Sequence, residues 1–381
     1  MTGPWALGSG GRPPAAYRPT VQIGAVLPLI PTLGPASESD WRAVASPETN
    51  GFVTRFAEDL AALRAAGVSD VRVPFDWSRW EPAERRTDRD VVEWHGQVLD
   101  AAAAAGVGVW ACLWEGPLPG WFADVGGWGD EHAAGRHWPR FVDRVAETYG
   151  DRLAGWVPFD RPVQRLEAGW LLGTRPPGRR DPERHSAAGR VLVAAWRDAW
   201  RVLRGGPPVA TALEVEQIEP EDESPDARQL ARWRDEFRFD VWPRALRDGV
   251  AAVPGLAERP VDDLAGAVDI LGVTVTFDRS ITVDGLEHSD AAVERWVQQA
   301  GEWLRRLVDG APERPLAMTL RLRRDDADSR EAGAKALVQL VREATNDGMD
   351  VVSASVDPAI DGVLSLDRED TAASQALRAL A

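Results

Sequence analysis

Charged side chains follow most of the short apolar runs in this sequence, and carboxyl groups are prominent among them. In the segment WVPFDRP an acid and a base stand side by side, as Asp160 and Arg161. Two carboxyl groups held near one bond can act as proton donor and as nucleophile or base, while arginine can bind phosphate or carboxylate. A solvated loop explains any single one of these residues equally well. Together they define a candidate pocket, which comprises Arg72, Asp76, Glu115, Asp160, Arg161, Glu214, Thr274, Arg321 and Asp357.

Other kinds of site leave no pattern in the sequence. The five histidines lack the spacing of metal ligands, and there is no GxSxG elbow, no P-loop and no dinucleotide GxGxxG after a strand. We therefore expect neither a metal nor a cofactor. The single cysteine, Cys112, cannot form an internal disulfide, and the N-terminal residues have no basic start or long apolar stretch. These features indicate a cytoplasmic protein.

The overall charge limits the classes of partner. The formal net charge is -16 and the sequence pI is about 4.9, so nucleic acid and anionic membrane surfaces would repel the chain. No apolar run approaches the roughly 20 residues of a membrane helix. With 381 residues and 44% hydrophobic content, the chain can bury a large core.

Eight apolar runs of strand length alternate with longer helical stretches, which is typical of repeated βα units around a parallel sheet. This pattern predicts a (β/α)8 TIM barrel, whose chemistry lies at the carboxyl ends of the strands. We expect a flexible arm over residues 1–18, a single barrel over residues 19–381 and a helical rim insertion near residues 219–250. The runs begin at Val21, Asp70, Gly108, Gly155, Pro208, Val268, Pro315 and Asp350.

The order of several motifs resembles family 1 glycoside hydrolases of the β-glucosidase type. DLAALRAAGVSDVRVPFDWSRWEP, from Asp59, is similar to that family's helix and second strand. GVWACLWEGPLPGWFADVGGWGDE, from Gly108, is similar to its third strand and the following GGW. YGDRLAGWVPFDRP, from Tyr149, falls where the family has a strand ending in Asn-Glu-Pro, and RPLAMTL resembles its KPIYITENG strand. The resemblance covers roughly residues 20–380 and implies a glycosidase barrel of carbohydrate metabolism.

The same resemblance implies that both catalytic glutamates are replaced. Arg161 stands where the family has its general acid and base, and Leu320 stands where it has its nucleophile. An arginine keeps its proton at any ordinary pH, and a leucine has no nucleophilic atom. A retaining glycosidase needs two carboxyl groups about 5 Å apart. Three further sugar contacts are also replaced, by Glu115, Asp160 and Thr274.

Two functions and one structural alternative follow. The first is a noncatalytic barrel, a pseudoenzyme that binds a sugar or a protein. The second is a divergent O-glycosyl hydrolase or transglycosidase whose rebuilt acidic site, including Glu115 and Glu214, acts on anionic sugars. The structural alternative is a mouth sealed by salt bridges. Tryptophans in the expected rim loops are candidates for stacking on sugar rings, namely Trp114, Trp121, Trp128 and Trp170.

Overall fold

Eight parallel strands form the central sheet of the computed structural model, which describes residues 21–44, 48–277, 290–322 and 327–358. Residues 1–18, the predicted arm, lie outside the described residues. Neighbouring strands pair in chain order from β1 to β4, and from β5 through β8 back to β1. The strands are β1 (Gln22–Val26), β2 (Asp70–Pro74), β3 (Gly108–Cys112), β4 (Gly155–Val157), β5 (Leu213–Val215), β6 (Leu271–Phe277), β7 (Leu316–Leu322) and β8 (Val351–Asp357).

The sheet closes between β4 and the segment that leads into β5. Trp156 pairs with Val209. The Trp156 N–H donates to the Pro208 carbonyl at 2.9 Å, and the Ala210 N–H donates to the Trp156 carbonyl at 2.8 Å. Closure and parallel pairing confirm the predicted (β/α)8 TIM barrel. All eight predicted runs contain a strand, although the run from Pro208 becomes regular only at Leu213.

Helices cover the outside of the sheet and decorate its rim. Their ends have local causes: before the helix Arg89–Ala105, for example, Asp88 accepts from the N–H groups of Asp90 and Val91 at 3.0 and 3.2 Å, and Gly106 ends that helix with φ 72°. No described helix is both long and apolar enough to cross a bilayer. The helices are α1 (Leu29–Leu33), α2 (Phe52–Ala65), α3 (Trp77–Trp80), α4 (Arg89–Ala105), α5 (Gly120–Asp124), α6 (Glu131–Tyr149), α7 (Pro162–Leu166), α8 (Pro182–Leu203), α9 (Pro225–Glu236), α10 (Trp242–Asp248), α11 (Asp290–Gly310) and α12 (Ala327–Asn346).

Two π-helical turns extend this set at the rim. Glu167–Leu171 continues α7, and Phe237–Val241 joins α9 to α10. The second turn lies in the segment 219–250 that the sequence marks as a rim insertion. Such turns often accompany functional positions because they change which side chains face inward.

The pleat of the strands separates a small inner core from a large outer one. Inside the barrel, small and medium side chains pack together: Cys112, Val157, Ala210, Ala212 and Ile270. Outside, an aromatic cluster packs between the sheet and α6, with Trp77 stacked on Phe141 at 5.1 Å and Trp138 stacked on Phe159 at 5.0 Å between ring centroids. This outer cluster fixes the segments that follow β2, β3 and β4, and these segments carry the candidate site.

Candidate functional site

Asp160 lies at the centre of the barrel mouth, where three arginines surround it. Arg72 Nη2 donates to Asp160 Oδ1 at 2.9 Å, and Arg161 Nε donates to Oδ2 at 2.8 Å. Arg165 Nη2 donates to the same Oδ2 at 3.3 Å. The Asp160 side chain is only 1% exposed. The acid and base of WVPFDRP therefore stand side by side because the arginine neutralises a buried carboxylate.

The electrostatics of Asp160 follow from these contacts. Burial alone would raise its pKa, but the charges of Arg161, Arg72 and Arg165 outweigh burial and lower the pKa well below its ordinary value. The group is therefore an anion throughout the neutral range and does not serve as a proton donor.

Arg161 is held in a conformation that few non-glycine residues adopt. Its φ of 50° and ψ of 56° place it in the left-handed region, immediately before Pro162 begins α7. Its N–H donates to the Ala212 carbonyl at 2.9 Å, and its side chain, 2% exposed, also donates to Gln164 Oε1 at 3.3 Å. A left-handed residue of this type costs about 1 kcal/mol or more, so the surrounding contacts must maintain it.

Glu115, which follows β3, is a buried acid of the mouth whose pKa is raised toward neutral pH. Its Oε2 accepts from the Leu29 N–H at 2.7 Å, while Oε1 is buried without a hydrogen-bond partner among the described residues. Burial, assisted by the charge of Asp160, raises the pKa of Glu115 to about 7 despite the opposing charge of Arg72. Glu115 is therefore protonated in a large fraction of molecules at neutral pH.

The raised pKa of Glu115 predicts a pH-dependent effect of Glu115→Gln. Between the ordinary value of 4.5 and about 7, the unfolded chain loses this proton while the folded chain retains it. Wild-type stability relative to the glutamine variant should therefore fall as pH rises through this interval, by about 1–3 kcal/mol. Urea denaturation of both proteins at pH 4.5, 6 and 8 measures this difference. Glu147→Gln, at an exposed position of α6, is the matched control for the substitution itself. A constant difference for Glu115→Gln would contradict the assignment.

The other half of the mouth continues the alternation of acids and arginines. Thr276 Oγ1 donates to Glu214 Oε1 at 2.8 Å, and Arg321 Nε lies 4.0 Å from Asp357 Oδ2. The strand register aligns Arg321 with both Thr276 and Asp357. Burial raises the pKa of both Glu214 and Asp357, and Arg161 is the largest influence that opposes it in each. One layer below, Thr274 is fully buried and is aligned with Glu214.

Leu320 does not face the mouth, which changes the expectation drawn from the motif resemblance. The residue is 0% exposed and belongs to the outer core, and a Cβ placed on Gly333 of α12 would lie 3.1 Å from Leu320 Cδ2. Its register partners Val275 and Val356 belong to the same outer core. Because successive residues of a strand face opposite sides, Arg321 is the residue at this end of β7 that faces the mouth.

Two further predicted site residues have structural partners elsewhere. Asp76 caps α3: its Oδ1 accepts from the N–H and the hydroxyl of Ser78 at 3.0 and 2.7 Å, so we assign it a structural role. Trp121 packs edge-on against Trp77 and donates its indole N–H to the Glu81 carbonyl at 2.8 Å. These contacts arise because Asp76 precedes, and Trp121 belongs to, a short helix that packs against the outer aromatic cluster.

Trp114 and Trp128 do line a cavity, together with the predicted rim residue Trp170. The cavity has a volume of about 370 Å³ and lies beside the mouth. Trp114 and Trp128 meet edge to face at 5.4 Å, and the Trp114 indole donates to the Gly116 carbonyl at 3.0 Å. Trp121 is not among the residues lining it.

Three charged residues of the site were not predicted from the sequence, namely Arg165, Glu167 and Arg238. Arg165 lies four residues after Arg161, one helical turn away, and this spacing was an available signal. Arg238 is buried and bridges Glu216 and Glu167, donating to Glu167 Oε2 at 3.0 Å. Arg238 and Glu167 belong to the two π-helical turns. Their ion pair joins two segments that are far apart in the chain, and neither segment contains a motif that predicts this pair.

The fold and the mouth define a (β/α)8 barrel with a polar site at the carboxyl ends of its strands. The chain belongs to glycosyl hydrolase family 1, since the model of that family matches residues 39–250, more than half of its length.

Curated relatives share modest identity with this chain. It is 28% identical over 178 residues to a lactase/phlorizin hydrolase of Rattus norvegicus, a match that covers 44% of this chain and 9% of the relative. It is 20% identical over 342 residues to beta-glucosidase 4 of Oryza sativa subsp. japonica, covering 77% of this chain and 70% of the relative. Beta-glucosidase 42 of Arabidopsis thaliana is 22% identical over 197 residues, 49% of this chain and 40% of the relative. The matches thus cover well under two thirds of two of these three relatives.

Solved structures of glycosidases share the fold. A beta-glycosidase from Pyrococcus horikoshii superposes with a TM-score of 0.71 at 18% identity, covering 89% of this chain and 84% of that one. A beta-glucosidase from Exiguobacterium marinum gives a TM-score of 0.74 at 14% identity, covering 89% and 90%.

Proposed function

We propose that this chain is a family 1 glycosidase barrel that binds a carbohydrate and does not carry out retaining hydrolysis. The observation that supports this most strongly is Arg161 at the position of the general acid and base. Its guanidinium is buried, remains protonated and is bound to Asp160, so it can neither donate nor accept the proton that the reaction requires.

The far side of the mouth supports the same proposal. Retaining hydrolysis needs a second carboxylate about 5 Å from the acid, positioned to attack the sugar. At this end of β7 the inward residue is Arg321, while Leu320 packs against α12. Asp160 is engaged by three arginines, and Asp357 has Arg321 at 4.0 Å. Asp160 is a poor nucleophile because hydrogen bonds from three arginines already engage both of its oxygens.

Carbohydrate is the ligand class that family membership favours. The curated relatives are named as beta-glucosidases and lactase/phlorizin hydrolases. Their activity does not transfer residue by residue, since the carboxyl pair implied by the family motifs is replaced here. A single barrel over residues 19–381 and a cytoplasmic location remain predictions from the sequence.

A divergent glycosidase with a rebuilt acid pair is the second candidate, and a specific observation favours it. Glu115 has a pKa raised to about 7 by burial, and one oxygen each of Glu115 and Glu214 is buried without a hydrogen-bond partner among the described residues. A protonated buried carboxyl is the usual form of a general acid. This candidate needs an ionised partner within reach of the same sugar.

Release of the aryl group from an activated aryl β-glucoside distinguishes the two candidates. The noncatalytic barrel should release none above the uncatalysed rate. The divergent glycosidase should release it with a rate that depends on Glu115 or Glu214.

A further inference from the structure

The cavity beside the mouth is bordered by a basic segment of an otherwise acidic chain. Residues 161–184 contain six arginines and three acids, although the whole chain has a formal net charge of -16. Three of these arginines line the cavity, namely Arg165, Arg179 and Arg184. Its volume of about 370 Å³ lies at the small end of the range of ligand sites, roughly 300–1,000 Å³. A cleft lined by one sign of charge concentrates ligands of the other sign.

The three arginines of this wall are accessible to a ligand. The Arg165 side chain is 18% exposed, the Arg184 side chain is 63% exposed, and Arg179 is exposed as well. Arg184 Nε lies 3.3 Å from Asp181 Oδ2, in an ion pair that solvent reaches on both sides. Among the residues that the structure describes, none pairs with the Arg179 guanidinium. These groups therefore have donor capacity left for a ligand.

Arg165 shares its carboxylate partner with two other arginines. Arg72, Arg161 and Arg165 all donate to Asp160, so one negative charge serves three positive ones. Burial, together with the charge of Arg161, lowers the pKa of Arg165. The guanidinium keeps its proton at neutral pH all the same. An anion in the cavity would offset this repulsion, and Arg165 is the member of the trio that lines the cavity.

The two acids of the cavity wall do not cancel the three arginines. Asp130 Oδ1 accepts from the Ala133 N–H at 2.7 Å and so caps α6. Asp40 Oδ1 accepts from the Leu118 N–H at 2.8 Å, and burial is the main cause that raises the pKa of Asp40 to about 7. A large fraction of Asp40 is therefore uncharged at neutral pH, and the wall keeps a positive balance.

We propose that the cavity beside the mouth binds a small molecule that carries a carboxylate or phosphate group. Guanidinium groups present paired donors that match the oxygens of either group. Trp170 is half-buried, whereas Trp41, Trp114 and Trp128 are buried, so Trp170 is the indole of this wall that can pack against the body of the ligand. The inference goes beyond the proposed function because it does not require the ligand to be a carbohydrate.

Calorimetric titration with citrate, inorganic phosphate and glucuronate at pH 7 and constant ionic strength tests the assignment. We expect at least one of these anions to bind wild type, and Arg179→Gln and Arg184→Gln each to weaken its binding at least about fivefold. Arg165→Gln should weaken it more, because Arg165 is the least exposed of the three. Circular dichroism checks the fold, and the two exposed variants decide the test if Arg165→Gln does not fold.

Arg201→Gln is the matched control for Arg184→Gln. Arg201 lies at the opposite end of the same helix, α8, and its side chain is 40% exposed. It pairs with Asp263 at 2.8 Å, much as Arg184 pairs with Asp181. Because Arg201 does not line the cavity, Arg201→Gln should bind the anion as wild type does.

The possible results separate this inference from the proposed function. Wild type that binds none of the three anions would overturn the anion site and leave the proposed carbohydrate ligand standing. Binding that is unchanged in Arg179→Gln and Arg184→Gln, or weakened equally in Arg201→Gln, would also overturn it, since the anion would then lie elsewhere or respond only to net charge. Tighter binding of phosphate would identify a phosphate group as the recognised feature, and tighter binding of citrate or glucuronate a carboxylate; either supports the site.

Discussion

Asp160→Asn is expected to destabilise the barrel by about 3–5 kcal/mol, because the substitution removes the one carboxylate that contacts three buried or partly buried arginines. The loss should be measured by chemical denaturation at pH 7. The difference in stability between wild type and Asp160→Asn should become smaller when the pH falls below the ordinary aspartate range. The arginines lower the pKa of Asp160, so its carboxylate stops stabilising the folded protein only as the pH falls through that lowered value.

A matched surface pair provides the control for Asp160→Asn. Asp100, 79% exposed, accepts from Arg152 at 2.7 Å, and Asp100→Asn should cost less than about 1 kcal/mol. Equal losses for the two variants would contradict a buried network centred on Asp160. So would an Asp160→Asn protein as stable as wild type.

Leu320→Glu is expected to destabilise the protein by several kcal/mol or prevent folding. The new carboxylate would lie in the outer core against Gly333 of α12, with no cation in that apolar contact set. Arg321→Glu, at the next residue, should cost less because the side chain at position 321 faces the mouth and is 33% exposed. Thermal unfolding of the two variants measures the contrast.

Leu320→Met controls for the loss of leucine itself and should cost less than about 1.5 kcal/mol. If Leu320→Glu folded normally and Arg321→Glu did not, the assigned facing of β7 would be wrong. The pair Arg161→Glu and Leu320→Glu would in that case restore two carboxyls to the mouth, as the family motif implies. With the facing observed here, that double variant should show no retaining glycosidase activity, because the carboxylate at position 320 would not reach the mouth.

The barrel could be predicted because its signals are local. Each apolar run has strand length, and each helical stretch has its own stop, such as Gly106 after α4. The resemblance placed Arg161 after β4, and in the structure it is the residue immediately before α7. What a linear motif cannot give is the facing of a particular side chain: RPLAMTL places Leu320 at the expected position, and the pleat turns it toward α12.

The site was predictable only in part, for a related reason. Glu115, Asp160, Glu214 and Asp357 converge because strand ends meet at one rim. The cavity depends on Asp40 and Trp41, which follow α1, meeting Trp170, more than a hundred residues later. No periodicity links these segments. Asp76 was predicted to line the pocket but caps α3, because an acid at a strand end is also a usual cap of the helix that follows.

Turnover of 2,4-dinitrophenyl β-D-glucoside tests the central claim most directly, because its good leaving group needs little help from an acid and so exposes any surviving nucleophile. The wild-type protein, Glu115→Gln and Glu214→Gln should be purified in parallel and assayed across pH 5–8. We predict that none of them releases dinitrophenol above the uncatalysed rate. Robust turnover by wild type that disappears in Glu115→Gln or Glu214→Gln would contradict the noncatalytic barrel and establish a rebuilt catalytic site.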